Sequence, residues 1–240
     1  MMFLEQPRNL DAMFSEETKT ADLPTLDIDM SKDWIKNSKQ NYGKKKNENY
    51  TGPTLNSNWI IRDKIMVGGY PKSYEVGIIK TQKVTKFVCL NDEYGTEKKD
   101  KIFNRYGDRL NPNDFIHFPM KDMQANAKDS ELITLCERLR DLVLAGECLY
   151  IHCAGGHGRT GTVAAILLKM LYSELSIYEI YDYLQYTHDQ RTWHNFGNYH
   201  FSGKIMEDEL RNQFVIGQVP TPQTSIQRYQ VERIINSKIF

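Results

Sequence analysis

Residues 149–162 read LYIHCAGGHGRTGT, and this stretch decides the fold. The run CLYIH at 148–152 is short and apolar, which is typical of a buried parallel strand. Residues 160–172 are apolar nearly all round a helix, which predicts a buried helix. A glycine-rich turn joins the two segments. The stretch therefore predicts a strand that passes through a tight loop into a helix of the core.

Strands and helices alternate on both sides of this stretch. Apolar runs predict strands at 58–69, 86–90 and 115–119, and helical spacing predicts helices at 129–145, 176–187, 203–214 and 221–237. Asp129 or Ser130 is suited to cap the first of these helices, and Thr221 with Pro222 the last. The alternation predicts an α/β fold with a central mixed, mainly parallel sheet flanked by helices.

Residues 1–55 differ from the rest of the chain because they are polar, rich in turn residues and without a sustained period. We expect an N-terminal extension that is partly ordered, and a single domain over 56–240. The residues suited to pack the extension on the domain are Trp34, Ile35, Tyr42 and Tyr50.

The overall charge and the cysteines exclude several classes of protein. Lys and Arg number 31, as do Asp and Glu, so no global field attracts nucleic acid or an anionic membrane. The longest apolar run is far shorter than the ~20 residues that span a bilayer. The four cysteines are scattered, without zinc-ligand spacing, which predicts free thiols, a cytoplasmic location with the nucleus as alternative, and no metal. The oligomeric state stays open.

The glycine-rich turn has the composition of an anion cradle. Cys153 ends the predicted strand and Arg159 lies at the mouth of the helix. The glycines let the backbone curl so that its N–H groups point inward, and the helix adds its positive N-terminal end. The amides expected to contact a phosphate are those of Ala154, Gly155, Gly156, His157, Gly158 and Arg159. Arg159 can hold such a dianion through two parallel hydrogen bonds.

The same positive field favours the thiolate form of Cys153, which would lie under the phosphorus of a bound ester. His152 is suited to hydrogen-bond nearby backbone and hold the shape of the loop. The Thr160 hydroxyl is suited to donate to the sulfur and help it to depart in a second step. A lone buried cysteine more often only packs in a core, but the complete pattern favours catalysis.

The motif HCAGGHGRTG resembles the His-Cys-x5-Arg-Thr/Ser-Gly signature of the protein tyrosine phosphatase superfamily, and most of all its dual-specificity branch. The resemblance spans residues 58–240. It implies a phosphatase domain that hydrolyses phosphotyrosine, with phosphoserine and phosphothreonine as further substrates, in phosphorylated protein partners. It also implies that the reaction passes through a phosphocysteine and needs no cofactor.

The resemblance also implies a general acid on a loop upstream of the cysteine. Asp122, in HFPMKDMQA, lies at the matching distance from Cys153 and follows a predicted strand. Asp129 is the rival, although its place at a helix start gives it a structural role as a cap.

A further match lies near the C-terminal end. The segment PQTSIQ resembles the Q-T-x-x-Q loop of tyrosine-specific phosphatases, in which two glutamines act on the hydrolytic water. Gln223 and Gln227 are the matching residues. The alternative is that both are ordinary polar residues in the first turns of a helix.

Two other functions stay open, namely an inositol-phosphate or phosphoinositide phosphatase and a phosphate-binding module without turnover. His157 stands where lipid-directed relatives often have lysine, which disfavours an inositol head group, although Lys121 could supply a cation.

Four other features of the sequence bear on the site. Tyr50 is a candidate for stacking on a substrate, and Arg191 either binds an anion or pairs with an acid. Cys89, on a strand expected beside the catalytic one, either packs or forms a disulfide with Cys153. The histidines His188, His194 and His200 lack metal-ligand spacing and suggest an aromatic loop beside the site.

Overall fold

The computed structural model describes residues 22–26, 47–96, 103–191 and 220–237. The described residues form one sheet of five strands: β1 (Ser57–Ile61), β2 (Ile65–Gly68), β3 (Lys86–Asn91), β4 (Phe115–Met120) and β5 (Leu149–His152). Their order is β1-β2-β5-β3-β4. Only the pairing of β1 with β2 is antiparallel within this sheet. The prediction of a mixed, mainly parallel sheet is therefore confirmed.

Helices flank this sheet. They are α1 (Ser73–Thr81), α2 (Asp129–Leu144), α3 (Gly158–Leu171), α4 (Ile177–His188) and α5 (Ser225–Asn236). Helix α1 was not predicted, because its sequence SYEVGIIKT combines a central glycine with β-branched residues that favour strands. The helix predicted at 203–214 lies outside the described residues, as do Trp34, Ile35 and Tyr42.

The register of the central strands brings the functional loops to one edge. All residues of β5 are buried, as its apolar sequence requires. His152, the last residue of β5, pairs with Gly68 of β2 and with Cys89 of β3. Met120 of β4 pairs with Asn91 of β3. The segments that leave the carboxyl ends of β3, β4 and β5 therefore start side by side.

Helix α3 is the central element of the core. Its side chains are buried from Gly158 to Leu168, and it packs against α2, α4 and α5. Tyr50 packs edge to face on Tyr183 and Tyr186 of α4 and is only 7% exposed. Its ring is therefore part of the core, and the suggestion that Tyr50 stacks on a substrate is wrong.

Two predicted helix caps are also wrong. Lys128, not Asp129 or Ser130, is the N-cap residue of α2, and the Asp129 carboxylate accepts hydrogen bonds from Arg233 of α5 instead. In α5 the cap is Thr224, whose hydroxyl accepts from the Gln227 amide at 3.2 Å. The hydroxyl of Thr221 is used elsewhere, since it donates to the carbonyl of His157.

Candidate active site

The loop between β5 and α3 holds the cysteine sulfur at its centre. Cys153 is 3% exposed, and its Sγ accepts a hydrogen bond from the Gly156 amide at 3.3 Å. Gly156 has a φ of +76°, and a Cβ there would lie 2.3 Å from the carbonyl of Gly68. Any residue with a side chain would be strained and would collide with the backbone of β2. The glycine is thus required for the curl that turns an amide toward the sulfur.

Arg159 lies in the first turn of α3 and its side chain is completely buried. Its Nη1 donates to the Met120 carbonyl at 2.9 Å, to Glu93 at 3.1 Å and to Asp92 at 3.2 Å. These acceptors follow or end β3 and β4, the strands whose carboxyl ends lie beside that of β5. Burial alone would lower the pKa of Arg159, but the Cys153 sulfur and the neighbouring carboxylates raise it above its usual range. The guanidinium is therefore a fixed positive charge.

Asp92 and Glu93 were not identified from the sequence, although they directly follow β3 in the segment NDEYG. Burial opposes ionisation of Glu93, but Arg159 and a hydrogen bond with Asp92 outweigh it and lower the pKa of Glu93 to about 2. Burial and the hydrogen bond with Glu93 raise the pKa of Asp92. The sequence contained one signal that could have revealed them. Asp92 and Glu93 follow a predicted parallel strand, as Cys153 does, and the carboxyl ends of parallel strands meet at one edge of a sheet.

Asp122 and Asp129 lie in different surroundings. Asp122 follows β4, and its carboxylate forms an ion pair with Nη2 of Arg159 at 3.0 Å while its side chain stays 49% exposed. Asp129 forms its ion pair with Arg233 at 2.7 Å, and the hydrogen bond from Arg233 lowers its pKa. The structure thus brings Asp122 to the loop, whereas Asp129 joins α2 to α5.

His152 is completely buried at the end of β5. Its Nδ1 lies 3.4 Å from the Cys153 carbonyl, and its Nε2 contacts the hydroxyl of Tyr106. Burial lowers the pKa of His152 to about 3, so the ring is neutral near pH 7. The contacts assign a proton to Nδ1, which donates to the carbonyl, while Nε2 accepts from the tyrosine. The ring thereby fixes the peptide that follows Cys153, as the sequence suggested.

Arg191 supports the loop from its outer side. Its Nη1 donates to the Gly155 carbonyl at 3.2 Å, its Nη2 to the Gly156 carbonyl at 2.9 Å and its Nε to Asn58 at 2.7 Å. A loop that turns its amides inward must turn carbonyls outward, and buried carbonyls need donors. The sequence suggested an anion or an acid as the partner of Arg191, and the partners that the structure gives it include backbone carbonyls of the loop and an amide side chain.

Thr160 does not make the predicted bond to the sulfur. Its hydroxyl is buried and has no hydrogen-bond partner among the described residues. The sulfur instead accepts a hydrogen bond from the backbone amide of Gly156.

Of the two glutamines, Gln227 is the one placed against the loop. It is completely buried, accepts from the Thr224 amide at 3.1 Å and donates to the Gln124 carbonyl at 3.4 Å. A Cβ added to Gly158 would lie 2.7 Å from its side-chain oxygen. Gln223 is partly buried in the turn before α5.

Cys89 and the histidines are placed as follows. Cys89 is buried beside His152 on β3, and burial raises the pKa of its thiol to about 12. His194 and His200 lie outside the described residues. The described part of the chain contains no group of His, Cys, Asp and Glu suited to hold a metal ion. Among the helices of the described residues, none is long and apolar enough to cross a bilayer.

A cysteine at the end of a central strand, a curled amide loop and a buried arginine at the start of a core helix define the class of cysteine-dependent, oxyanion-binding Cys-x5-Arg proteins. A family model described as "Swiss Army Knife protein, DSP-PTPase phosphatase domain" matches residues 54–180. Because the match covers more than half of the chain, the chain belongs to this family of dual-specificity and tyrosine phosphatase domains.

Two viral proteins are similar in sequence. "Putative tyrosine phosphatase 067L" of Invertebrate iridescent virus 3 is 34% identical over 117 residues, which are 48% of this chain and 46% of the relative. "Putative tyrosine phosphatase 197R" of Invertebrate iridescent virus 6 is 31% identical over 175 residues, 71% of this chain and 62% of the relative. The chain thus spans less than two thirds of the length of either.

Solved structures share the fold. The active form of Tk-PTP is 18% identical with a TM-score of 0.52, and the match covers 76% of this chain and 97% of Tk-PTP. The kinase-associated phosphatase with its catalytic cysteine replaced by serine is 17% identical with a TM-score of 0.51, over 72% of this chain and 85% of the other. At such identities the likeness concerns the fold alone.

Proposed function

We propose that this chain hydrolyses phosphate monoesters, with phosphotyrosine in proteins as the main substrate, through a phosphocysteine intermediate. One observation carries the proposal. The Nε and Nη2 atoms of Arg159 are buried and make no hydrogen bond among the described residues, although Nη2 lies 3.0 Å from the carboxylate of Asp122. Nη1, in contrast, has three acceptors. Because buried donors are nearly always satisfied in proteins, this edge of the guanidinium fits two oxygens of a ligand.

The first step transfers the phosphoryl group to the protein. The Cys153 sulfur attacks phosphorus in line, a sulfur–phosphorus bond forms and the phosphorus–oxygen bond of the ester breaks. The Nε and Nη2 atoms of Arg159 and the inward amides of the loop hold the equatorial oxygens, over which the charge of the transition state is spread. Asp122 in its acid form, half-exposed beside Nη2 of Arg159, gives its proton to the leaving oxygen.

The second step regenerates the cysteine. The Asp122 carboxylate takes a proton from a water molecule, whose oxygen attacks phosphorus while the sulfur–phosphorus bond breaks. Gln227 lies against the end of the loop, and Gln223 in the adjoining turn completes the pair proposed to position this water. The Thr160 hydroxyl, buried and without a partner in the described residues, is available to stabilise the departing thiolate.

The charges around the site support a substrate with a single phosphate. Asp92, Glu93 and Asp122 surround Arg159, so the described rim of the site is acidic. An inositol head group with several phosphates would be repelled by such a rim. All four cysteines are free thiols, which supports a cytoplasmic location.

The test is hydrolysis of p-nitrophenyl phosphate and of a phosphotyrosine peptide without added metal, with vanadate as inhibitor. Cys153→Ser should abolish turnover while it still binds the peptide. Acid quenching of the wild type with a ³²P-labelled substrate should trap labelled protein, and the serine variant should trap none. Undiminished turnover by Cys153→Ser would refute the mechanism. Binding without turnover by the wild type would favour a silent module, and release of phosphate only from inositol phosphates would favour the lipid-directed alternative.

A further inference from the structure

The end of helix α4 makes a second contact with the loop, through a pair of histidines. Nδ1 of His157 lies 2.7 Å from Nε2 of His188, and both side chains are 2% exposed. Nδ1 of His188 lies 3.2 Å from the carboxylate of Asp189. An aspartate, a histidine of α4 and a histidine of the loop thus form one hydrogen-bonded chain.

This chain has a defined direction. A carboxylate can only accept, so Nδ1 of His188 carries the proton that it donates to Asp189. In the neutral ring Nε2 of His188 is then an acceptor, and Nδ1 of His157 is the donor. The order of the three groups fixes both the tautomer and the orientation of the His157 ring.

The His157 ring has particular weight because of its neighbours in the sequence. Gly155, Gly156 and Gly158 have no side chain, so in this part of the loop His157 alone offers one by which the backbone can be held. Its carbonyl is held as well, by the Thr221 hydroxyl at 3.2 Å and the Gly161 amide at 2.9 Å. Glycine-rich backbone loses much entropy when it is ordered, so an anchor here selects the curled conformation from many.

We propose that His188 is a positioning residue for the phosphate loop, which it orders through the ring of His157. The proposal rests on the proposed function, since it assigns to His188 the task of keeping the amides next to His157 aimed at the bound oxyanion. His188 touches neither substrate nor sulfur in this scheme. Its effect on the reaction passes entirely through the geometry of the loop.

Two variants and a matched control test this role. His188→Leu removes the acceptor for His157, whereas His188→Gln keeps an oxygen that can accept from the same Nδ1. Gln190→Ala is the control, because Gln190 lies in the same turn but contacts the Tyr186 carbonyl and the Asn47 amide rather than the loop. Each protein is titrated with tungstate by calorimetry and assayed with p-nitrophenyl phosphate.

We expect His188→Leu to weaken tungstate binding and to lower kcat/KM by about ten- to a hundredfold, since small misplacements of binding groups have effects of this size. His188→Gln should recover most of both quantities, and Gln190→Ala should match the wild type. Tungstate affinity within about twofold of the wild type in His188→Leu, or a glutamine variant no better than the leucine variant, would overturn the proposal.

A measurement on the wild type covers the case in which His188→Leu does not fold. Tungstate should shift the ¹⁵N resonances of both imidazoles, because ordering the loop strengthens the bond between them. Unchanged resonances with tungstate bound would overturn the proposal. Failure of the proposed function would be a separate result. If the wild type binds tungstate but hydrolyses no ester, the tungstate affinities of the variants can still be compared.

Discussion

The loop that carries Cys153 is held from two sides, and the two sides use different interactions. At the carboxyl ends of β3 and β4, Asp92, Glu93 and Asp122 hold the guanidinium of Arg159 by charge. At the end of α4, Arg191 holds the carbonyls of the loop through hydrogen bonds. The contact of Asp122 with Nη2 can be exchanged for a bond to a dianion when a substrate arrives. Bonds to carbonyls cannot be taken over by an anion, so this second side fixes the shape of the loop.

The largest effect is expected on the charged side. Asp122→Ala should lower kcat by about 10²-fold, the usual contribution of a general acid. The measurement is kcat for an aryl phosphate with a poor leaving group, such as phenyl phosphate, for which protonation matters most. An ester with a good leaving group should lose less.

Asp129→Ala is the matched control for this prediction. Asp129 pairs with Arg233 at the surface between α2 and α5, so its loss should leave kcat near the wild-type value and lower stability by less than about 1 kcal/mol. A crippled Asp129→Ala together with an active Asp122→Ala would reverse the assignment of the acid.

Substitution of Arg191 tests whether its hydrogen bonds fix the shape of the loop. Arg191→Lys keeps the charge but cannot reach Gly155, Gly156 and Asn58 at once, so buried carbonyls lose their donors. We expect KM for p-nitrophenyl phosphate to rise about tenfold and the free energy of unfolding to fall by about 1–3 kcal/mol. Arg62→Lys, at an exposed arginine, should change neither quantity. If Arg191→Lys gives the same KM and the same free energy of unfolding as that control, the loop keeps its shape without the hydrogen bonds of Arg191.

His152, at the β5 end of the loop, makes the free energy of unfolding depend on pH. Burial lowers the pKa of His152 to about 3 from 6.5, so the unfolded chain binds a proton that the folded chain does not between these values. Stability contributed by His152 is therefore complete above pH 6.5 and falls by about 1.4 kcal/mol for each pH unit below it, down to pH 3.

Urea unfolding at pH 7, 6, 5 and 4 measures this slope. His152→Gln should be less stable than the wild type at pH 7 but should lose less stability on acidification. Equal slopes in the two proteins between pH 6 and 4 would show that other groups account for the acid sensitivity.

The sequence predicted the centre of the site far better than its surroundings. Cys153 and Arg159 are linked by local geometry, since a strand, a glycine turn and a helix place both on one loop. Asp92, Glu93 and Arg191 reach the site only through strand order and through the direction of α4, which the spacing along the chain does not encode. The cap of α5 was misplaced for the same reason, because Thr221 is used by a loop that is distant in sequence.

The smallest effect on the kinetic constants is expected at Glu93, on the charged side of the loop. The pKa of Glu93 is about 2, so this carboxylate is ionised at every pH at which the protein is expected to work. Glu93→Gln keeps an acceptor for Arg159 and removes one negative charge beside the proposed phosphate position. Two consequences oppose each other, since Arg159 is held less firmly but the phosphate dianion is no longer repelled by the charge of Glu93. Because Asp92 and the Met120 carbonyl still hold Nη1, we expect KM to change by less than about fivefold and kcat to fall by a similar factor. A loss near that of Asp122→Ala would mean that the charged side fixes the loop as firmly as Arg191 does, and that its bonds do not exchange when the substrate binds.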